Sequence, residues 1–411
     1  MDELEKIIEH LELENAKRAT SDPLTRASLD TVYKFIQTHP VMCYGGTAIN
    51  NLLPKEDRFY DPEVDIPDYD FFSKTPQEHA MFLANTLSEI GVKNVEVRPG
   101  IHLGTFKVFA DFEGVADITH LDSKIFDKLW EESVERDGVH YVPPNLLRMS
   151  MYLELSRPRG DVSRWKKVFS RLQLLNKHHP IECPISETEH RKLASKSEIE
   201  DVMKLLHTEP VVLLGVSAAE SHLQKHWTLP ITLLATKETI DKLSKDKKVE
   251  VDKGTDILPA RYSIIDDDGL ARVRFYETAA CHSYHQTRDG VRIASIPTIL
   301  QFLFAFVYSS KKQKNISNML CIAQRLVEMA NNKPKRRFAL LTPIDCIGQQ
   351  DTLIDMRKNK AALYEKYSKN KQSPEFLKYF FTYNPRASKT ERQKARNALR
   401  KTRKARFESS Y

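Results

Sequence analysis

The chain has no CxxC pair, no apolar leader and no apolar run of membrane-spanning length. Its five cysteines, Cys43, Cys183, Cys281, Cys321 and Cys346, are scattered. That argues against a zinc ribbon and a disulfide framework, and predicts a reducing compartment. The opening residues, MDELEKIIEHLELENAKR, lack an apolar core and exclude a signal peptide. The longest apolar run, Ile296 to Val307, falls short of the roughly 20 residues a bilayer span requires. No membrane association is expected. Net charge is lacking over most of the chain: of the net +7, residues 386–411 supply +8, leaving about −1 for the rest. With 411 residues there is room for two or three domains.

What is present centres on Val41 to Phe72. A short apolar run, Val41 to Tyr44, leads into Gly45, Gly46 and Thr47 and a helical segment to Leu53. After a polar loop comes Pro67-Asp68-Tyr69-Asp70-Phe71-Phe72, read as a strand. Alternate strand residues share a face, so Asp68 and Asp70 project together while Tyr69 and Phe71 turn to a core. Paired carboxylates on one edge suit two Mg²⁺ or Mn²⁺ ions beside a phosphate. A Gly-Gly turn before a helix lets backbone N–H groups approach a triphosphate, and Thr47 can add a hydroxyl. A plain β-turn-α unit with a surface DxD is the structural alternative. A third carboxylate, Asp117, stands in the strand-like run Val115 to Thr119, where Asp is uncommon. It reads as a third metal ligand that helps take a proton from an attacking hydroxyl, or else as an edge-strand Asp facing solvent. Asp111 and Asp122 compete for the role from a turn and beyond the strand.

Around this stretch, Leu4, Ile7, Ile8 and Leu11 predict a first helix, and Ser21-Asp22-Pro23 a capped second one ending near Thr38. Another helix is expected from Thr75 to Ile90. Strands are expected at 95–98, 105–112 and 115–119, with a hairpin turn at Glu113-Gly114. Helices follow at 145–155 and 164–177. Arg164, Lys166, Lys167 and Arg171 on the latter form either a solvated face or part of an RNA or triphosphate path.

The second half echoes the first. Val211 to Ala219 parallels Val41 to Ile49, and Leu229 to Leu234 parallels Ile66 to Phe71. In this match Asp68 becomes Ile231, Asp70 becomes Leu233 and Asp117 becomes Arg272. A second, catalytically dead copy is inferred, with Arg261, Arg272, Arg274 and Arg288 and Tyr262, Tyr276 and Tyr284 as candidates for phosphate contact and base stacking. Lys333, Lys335, Arg336 and Arg337 open a polar third segment, with helices expected at 351–368 and 374–381. In the tail, Arg386, Lys389, Arg392, Lys394, Arg396, Arg400, Lys401, Arg403, Lys404 and Arg406 outnumber apolar partners, so a packed core is not expected. The tail reads as an electrostatic arm for nucleic acid, against a solubilising tail or a nuclear-localisation-like patch.

The runs Val41–Leu53, Asp65–Ser73, Gly104–Thr119 and Leu147–Pro180 resemble the catalytic subunit of poly(A) polymerases of large cytoplasmic DNA viruses. These belong to the nucleotidyltransferase superfamily, and giant-virus versions look nearer than poxvirus ones. The resemblance covers residues 30–310 and excludes the basic tail. It implies an α+β fold: a nucleotidyltransferase (polymerase-β-like) catalytic domain, then a degenerate nucleotidyltransferase-like domain, with helical N-terminal and C-terminal segments. The expected boundaries are 1–38 for N-terminal helices, 39–190 for the catalytic domain and 191–330 for the inactive one. A helical segment at 331–385 and a disordered basic tail at 386–411 complete the chain. The implied activity is transfer of AMP from ATP to RNA 3′ ends, with release of pyrophosphate. Asp68, Asp70 and Asp117 would hold two Mg²⁺ or Mn²⁺ ions, and Gly45, Gly46 and Thr47 the triphosphate. A homodimer is implied, with a viral processivity partner as the other arrangement, and virion and host cytoplasm as location. The rivals are a nucleotidyltransferase of other nucleotide or linkage specificity, and a non-catalytic RNA-binding protein that keeps the fold.

Overall fold

The computed structural model describes residues 2–184, 191–310, 313–332, 345–349 and 351–408, with side chains left aside at 2, 313–314 and 400–408. Contacts group the chain into two units, 1–143 with 353–411, and 144–352.

The first unit opens with helices α1 (Asp2–Ser21) and α2 (Pro23–Thr38). As expected, Asp22 caps α2 by accepting from the Thr25 N–H, with Pro23 at the first position. Strand β1 (Met42–Cys43), helix α3 (Gly45–Leu52), β2 (Tyr69–Ser73) and α4 (Pro76–Glu89) follow. Next come β3 (Val95–Pro99), β4 (Thr105–Ala110), β5 (Glu113–His120), α5 (Ser123–Glu131), β6 (Val134–Arg136) and β7 (Val139–Tyr141). The sheet order is β3-β4-β5-β2-β1-β7-β6. Strand β2 runs parallel to β5 and antiparallel to β1. Alternation along β4 and β5 buries Phe106, Val108, Ala116 and Ile118, which with Phe35, Phe71 and Leu83 form the core.

The β4–β5 turn lies two residues earlier than the sequence suggests. Asp111 (φ 47°) and Phe112 (φ 72°) occupy its centre, while Glu113 and Gly114 already belong to β5. Two positive φ values suit the twist of a tight hairpin, and Asp tolerates that conformation. Past Thr352, helices Leu353–Tyr367 and Pro374–Phe380 match expectation, and Tyr383 exchanges two backbone hydrogen bonds with Val97. The C-terminal segment thereby covers the edge strand β3. The tail expected to be disordered forms a helix, Lys389–Glu408, started by Ser388, whose side chain accepts from the Glu391 N–H. Lys and Arg are good helix formers, a local propensity the charge count alone ignores.

The second unit holds α6 (Pro144–Leu155), α7 (Trp165–His178), α8 (Lys196–Thr208), β8 (Val212–Leu213), α9 (Gly215–His222), β9 (Ile231–Ala235) and α10 (Lys237–Ser244). It continues with β10 (Val249–Asp252), β11 (Arg261–Ile265), β12 (Ala271–Glu277), β13 (His282–Gln286), β14 (Arg292–Ala294), α11 (Ile296–Ser309), α12 (Gln313–Asn332) and β15 (Asp345–Ile347). Its sheet order, β10-β11-β12-β9-β8-β14-β13-β15, repeats the first sheet strand for strand and adds β15 at one edge. The apolar run Ile296 to Val307 lies in α11, buried against α6 and α12. That packing places α6 and α7 in the second unit, although the sequence boundary was drawn at 190.

Four of the five cysteines pair, Cys183 with Cys321 and Cys281 with Cys346, across 138 and 65 residues. The expectation of no disulfides fails because spacing along the chain says nothing about which strands and helices the fold brings together. Cys43 is free and buried. Among the described residues no helix is long and apolar enough to cross a membrane.

Candidate active site

Strand β1 ends at Cys43, and the Tyr44 N–H donates to the Asp70 carbonyl at 3.0 Å. Gly45 then turns the chain into α3 with φ +71°. A Cβ at Gly45 would stand 2.6 Å from Asp70 Oδ2, so only glycine fits beside that carboxylate. Asp70 lies directly opposite Asp117 on the parallel pair β2/β5. Asp68 precedes the first paired residue of β2. Thr47 is buried and its hydroxyl donates to the Asp68 carbonyl at 2.8 Å. Its proton is therefore used to fix the Asp68 backbone, and only its oxygen is left to accept.

The electrostatics follow from this crowding. Partial burial raises the Asp68 pKa, the Asp117 charge raises it further, and Lys107 opposes both. Lys107, directly opposite Asp117 on β4, makes an ion pair with Asp117 Oδ2. Burial and then the Asp70 charge raise the Tyr44 hydroxyl, which pairs with the Thr119 hydroxyl at 2.9 Å. Asp68 also lines a cavity of about 320 Å³ with Asp22, Thr25, Ser28, Asp111 and Glu113. Asp111 sits at the hairpin turn bonded to Asn94, and Asp122 caps α5, so neither competes with Asp117.

Among the described residues no three His, Cys, Asp or Glu side chains stand close enough to hold an ion as they are placed. The donor chemistry nevertheless fits a hard divalent cation: Asp70 and Asp117 on adjoining strands and Asp68 just before β2, with the Lys107 ammonium meeting the need of Asp117 for positive charge. Sequence reasoning missed Lys107, because a turn at Glu113-Gly114 would set Ala110 opposite Asp117; only the observed turn at Asp111-Phe112, with the register shift after Val108, brings Lys107 there.

The second unit repeats this frame. Leu213 pairs with Leu233 as Cys43 pairs with Phe71, and the Leu214 N–H donates to the Thr232 carbonyl at 2.8 Å. Gly215 (φ +61°) then opens α9 beside Thr232. Thr232 therefore replaces Asp70, and Pro230 replaces Asp68. Thr232 lies opposite Arg274, so Arg274 replaces Asp117. The sequence match was one residue off at Ile231 and Leu233 and two off at Arg272, because the turns between the matched strands differ in length. Val216 stands where Gly46 leaves the backbone bare.

Among the other second-half candidates, Arg272 is clamped by Glu198 and Asp266. Tyr276 and Tyr284 are buried, and Tyr262 donates to Glu277. Arg288 is exposed. On α7, Arg164 pairs with Glu154 at 3.2 Å. In the tail, Arg386 Nε donates to the Ser88 hydroxyl, and Lys389, Arg392, Lys394 and Arg396 lie on the final helix. The side chains of Arg400, Lys401, Arg403, Lys404 and Arg406, and the whole of Lys333, Lys335, Arg336 and Arg337, lie outside the described residues.

Residues 30–161 match the family model of the poly(A) polymerase catalytic subunit. The matched stretch holds Asp68, Asp70, Asp117 and the Gly45-Gly46 turn. A proposed poly(A) polymerase catalytic subunit of Acanthamoeba polyphaga mimivirus is 31% identical over 161 residues, 38% of this chain and 27% of that one. The corresponding proposed subunit of African swine fever virus (isolate Pig/Kenya/KEN-50/1950) is 33% identical over 186 residues, 44% of this chain and 39% of that one. The matches thus span between about a quarter and two fifths of these relatives' lengths. The crystal structure of the Megavirus polyadenylate synthase has the same fold, with a TM-score of 0.79 at 20% identity, covering 97% of this chain and 88% of that one.

Proposed function

We propose that the chain is a template-independent polynucleotide adenylyltransferase that moves AMP from ATP to RNA 3′ ends and releases pyrophosphate. The observation that carries this reading is the register of Asp70 against Asp117, with Gly45 turned tightly beside Asp70 at the start of α3. Asp68, Asp70 and Asp117 would hold the divalent ions, Mg²⁺ or Mn²⁺, which supply charge neutralisation at the attacking and leaving oxygens. Asp117 takes the proton from the RNA 3′-hydroxyl oxygen as that oxygen attacks the α-phosphorus. The α3 turn offers the Gly45 and Gly46 N–H groups to the triphosphate, while Thr47 holds the Asp68 backbone in place. Little covalent chemistry is asked of the protein, so positioning and charge carry the reaction. In this reading the first repeat is catalytic, the second is inactive and the basic tail engages RNA. A homodimer or a processivity partner, and action in the virion and host cytoplasm, belong to the same reading.

A primer-extension assay tests it. Purified protein, a labelled RNA primer and each NTP in turn are incubated with Mg²⁺ or Mn²⁺. Long products with ATP alone, absent from an Asp68→Ala/Asp70→Ala variant, are expected. Extension with another NTP, or 2′–5′ linkages, would keep the mechanism and change the specificity. No extension, with RNA affinity intact in the double variant, would favour an RNA-binding protein.

A further inference from the structure

We propose that the second repeat carries a phosphate-binding site, built from Arg274, Arg261 and Arg191, at the place where the first repeat carries its carboxylates. The two sheets allow a residue-by-residue comparison. In the first, one cross-strand row reads Arg98, Lys107, Asp117, Asp70. In the second, the same row reads Glu250, Ser263, Arg274, Thr232. Every charge in the row has reversed or gone. A frame suited to bind cations has become one suited to bind an anion.

Arg274 and Arg261 are poorly satisfied among the described residues. Among the described residues Arg274 makes one side-chain hydrogen bond, a long 3.4 Å contact from Nε to the Ser263 hydroxyl. Burial, with the charges of Arg261 and then Arg191, pushes its guanidinium down to about 10. Arg261 pairs with Asp252 at 2.9 Å, yet its Nε is buried with no acceptor. Arg191 reaches the Leu229 carbonyl at 3.1 Å. The contrast is Arg272, two residues along β12 from Arg274. It is held by Glu198 and Asp266, as a structural arginine should be. Like charges gathered in a partly buried place cost stability unless a counter-charge joins them. Guanidinium donors match the several oxygens of a phosphate. Because Val216 carries a side chain where Gly46 has none, the arginine side chains rather than the α9 turn would make the contacts.

The phosphate could come from a nucleic-acid strand or from a free nucleotide. The experiment compares full-length wild type with Arg274→Gln, Arg261→Gln, Arg274→Lys and Arg272→Gln. Labelled oligoadenylate, ATP and pyrophosphate are the probes, without turnover. Binding is read directly, so an inactive first repeat leaves the outcome unchanged. For a strand, Arg274→Gln should weaken oligoadenylate binding about tenfold and reduce the salt slope by about 0.7, with partial recovery in Arg274→Lys. Weakened ATP or pyrophosphate binding, with oligoadenylate unaffected, would support the site and name free nucleotide as its ligand. Without ligand, Arg274→Gln should melt no lower than wild type, whereas Arg272→Gln should melt lower and bind normally. Folded Arg274→Gln and Arg261→Gln proteins with unchanged affinity for all three probes would overturn the proposal. So would a ligand-free melting loss in Arg274→Gln as large as that in Arg272→Gln.

Discussion

Gly45 and Asp70 constrain each other. The positive φ of Gly45 would cost an L-residue about 1–2 kcal/mol, and any Cβ there would strike Asp70 Oδ2. Gly45→Ala should therefore lower stability by roughly that amount and abolish AMP transfer, as seen by thermal melting and primer extension. Asp70→Asn and Asp117→Asn keep the shape and remove the charge. Each should lower transfer at least about 1,000-fold with little change in melting temperature, since their loss bears on the transition state rather than the fold. Lys107 gives a separate test. It neutralises Asp117, so a divalent ion must compete with it. Lys107→Met should tighten Mn²⁺ binding several-fold by calorimetry. Unchanged binding would mean the ion pair opens without cost.

At the scale of elements, α2 and α4 meet through Phe35, His39, His79 and Phe82. Burial, and then the neighbouring His39, push the His79 imidazole down to about 4. The unfolded chain takes up this proton near pH 6.5, the folded chain only near 4. The unfolded state therefore binds more protons between those values. The stability is complete above about 6.5 and is lost as pH falls towards 4. Denaturant melts at pH 7.5 and 5 should show this loss, and His79→Gln should reduce it. The β4–β5 hairpin is a second element with a clear outcome. Phe112 is 75% exposed at φ 72°, so Phe112→Gly should stabilise by about 0.5 kcal/mol, the strain relieved less the entropy of glycine.

At the scale of the whole molecule, charge and duplication matter. Residues 386–411 carry +8 against about −1 for the rest. Removing residues 389–411 should weaken RNA binding at low salt and flatten its salt dependence, while extension of saturating primer persists. The duplication was partly legible, because an apolar strand, a glycine and a helix recur in order. Its residue matches were not, because unequal turns shift a match made along the sequence.

The chain by itself determined the frame of the candidate site. Alternation put Asp68 and Asp70 on one side, the Gly-Gly turn placed a helix start beside them, and Asp117 stood out as a carboxylate within a strand. These are local patterns fixed by backbone periodicity and turn chemistry. Only the tertiary structure decided what depends on distant partners. It set Lys107 on Asp117, tied the Thr47 proton to Asp68, joined four cysteines, made a helix of the basic tail and put Arg274 at the position equivalent to Asp117. Register between strands and packing between helices set those pairings, and neither leaves a mark at a fixed spacing along the chain.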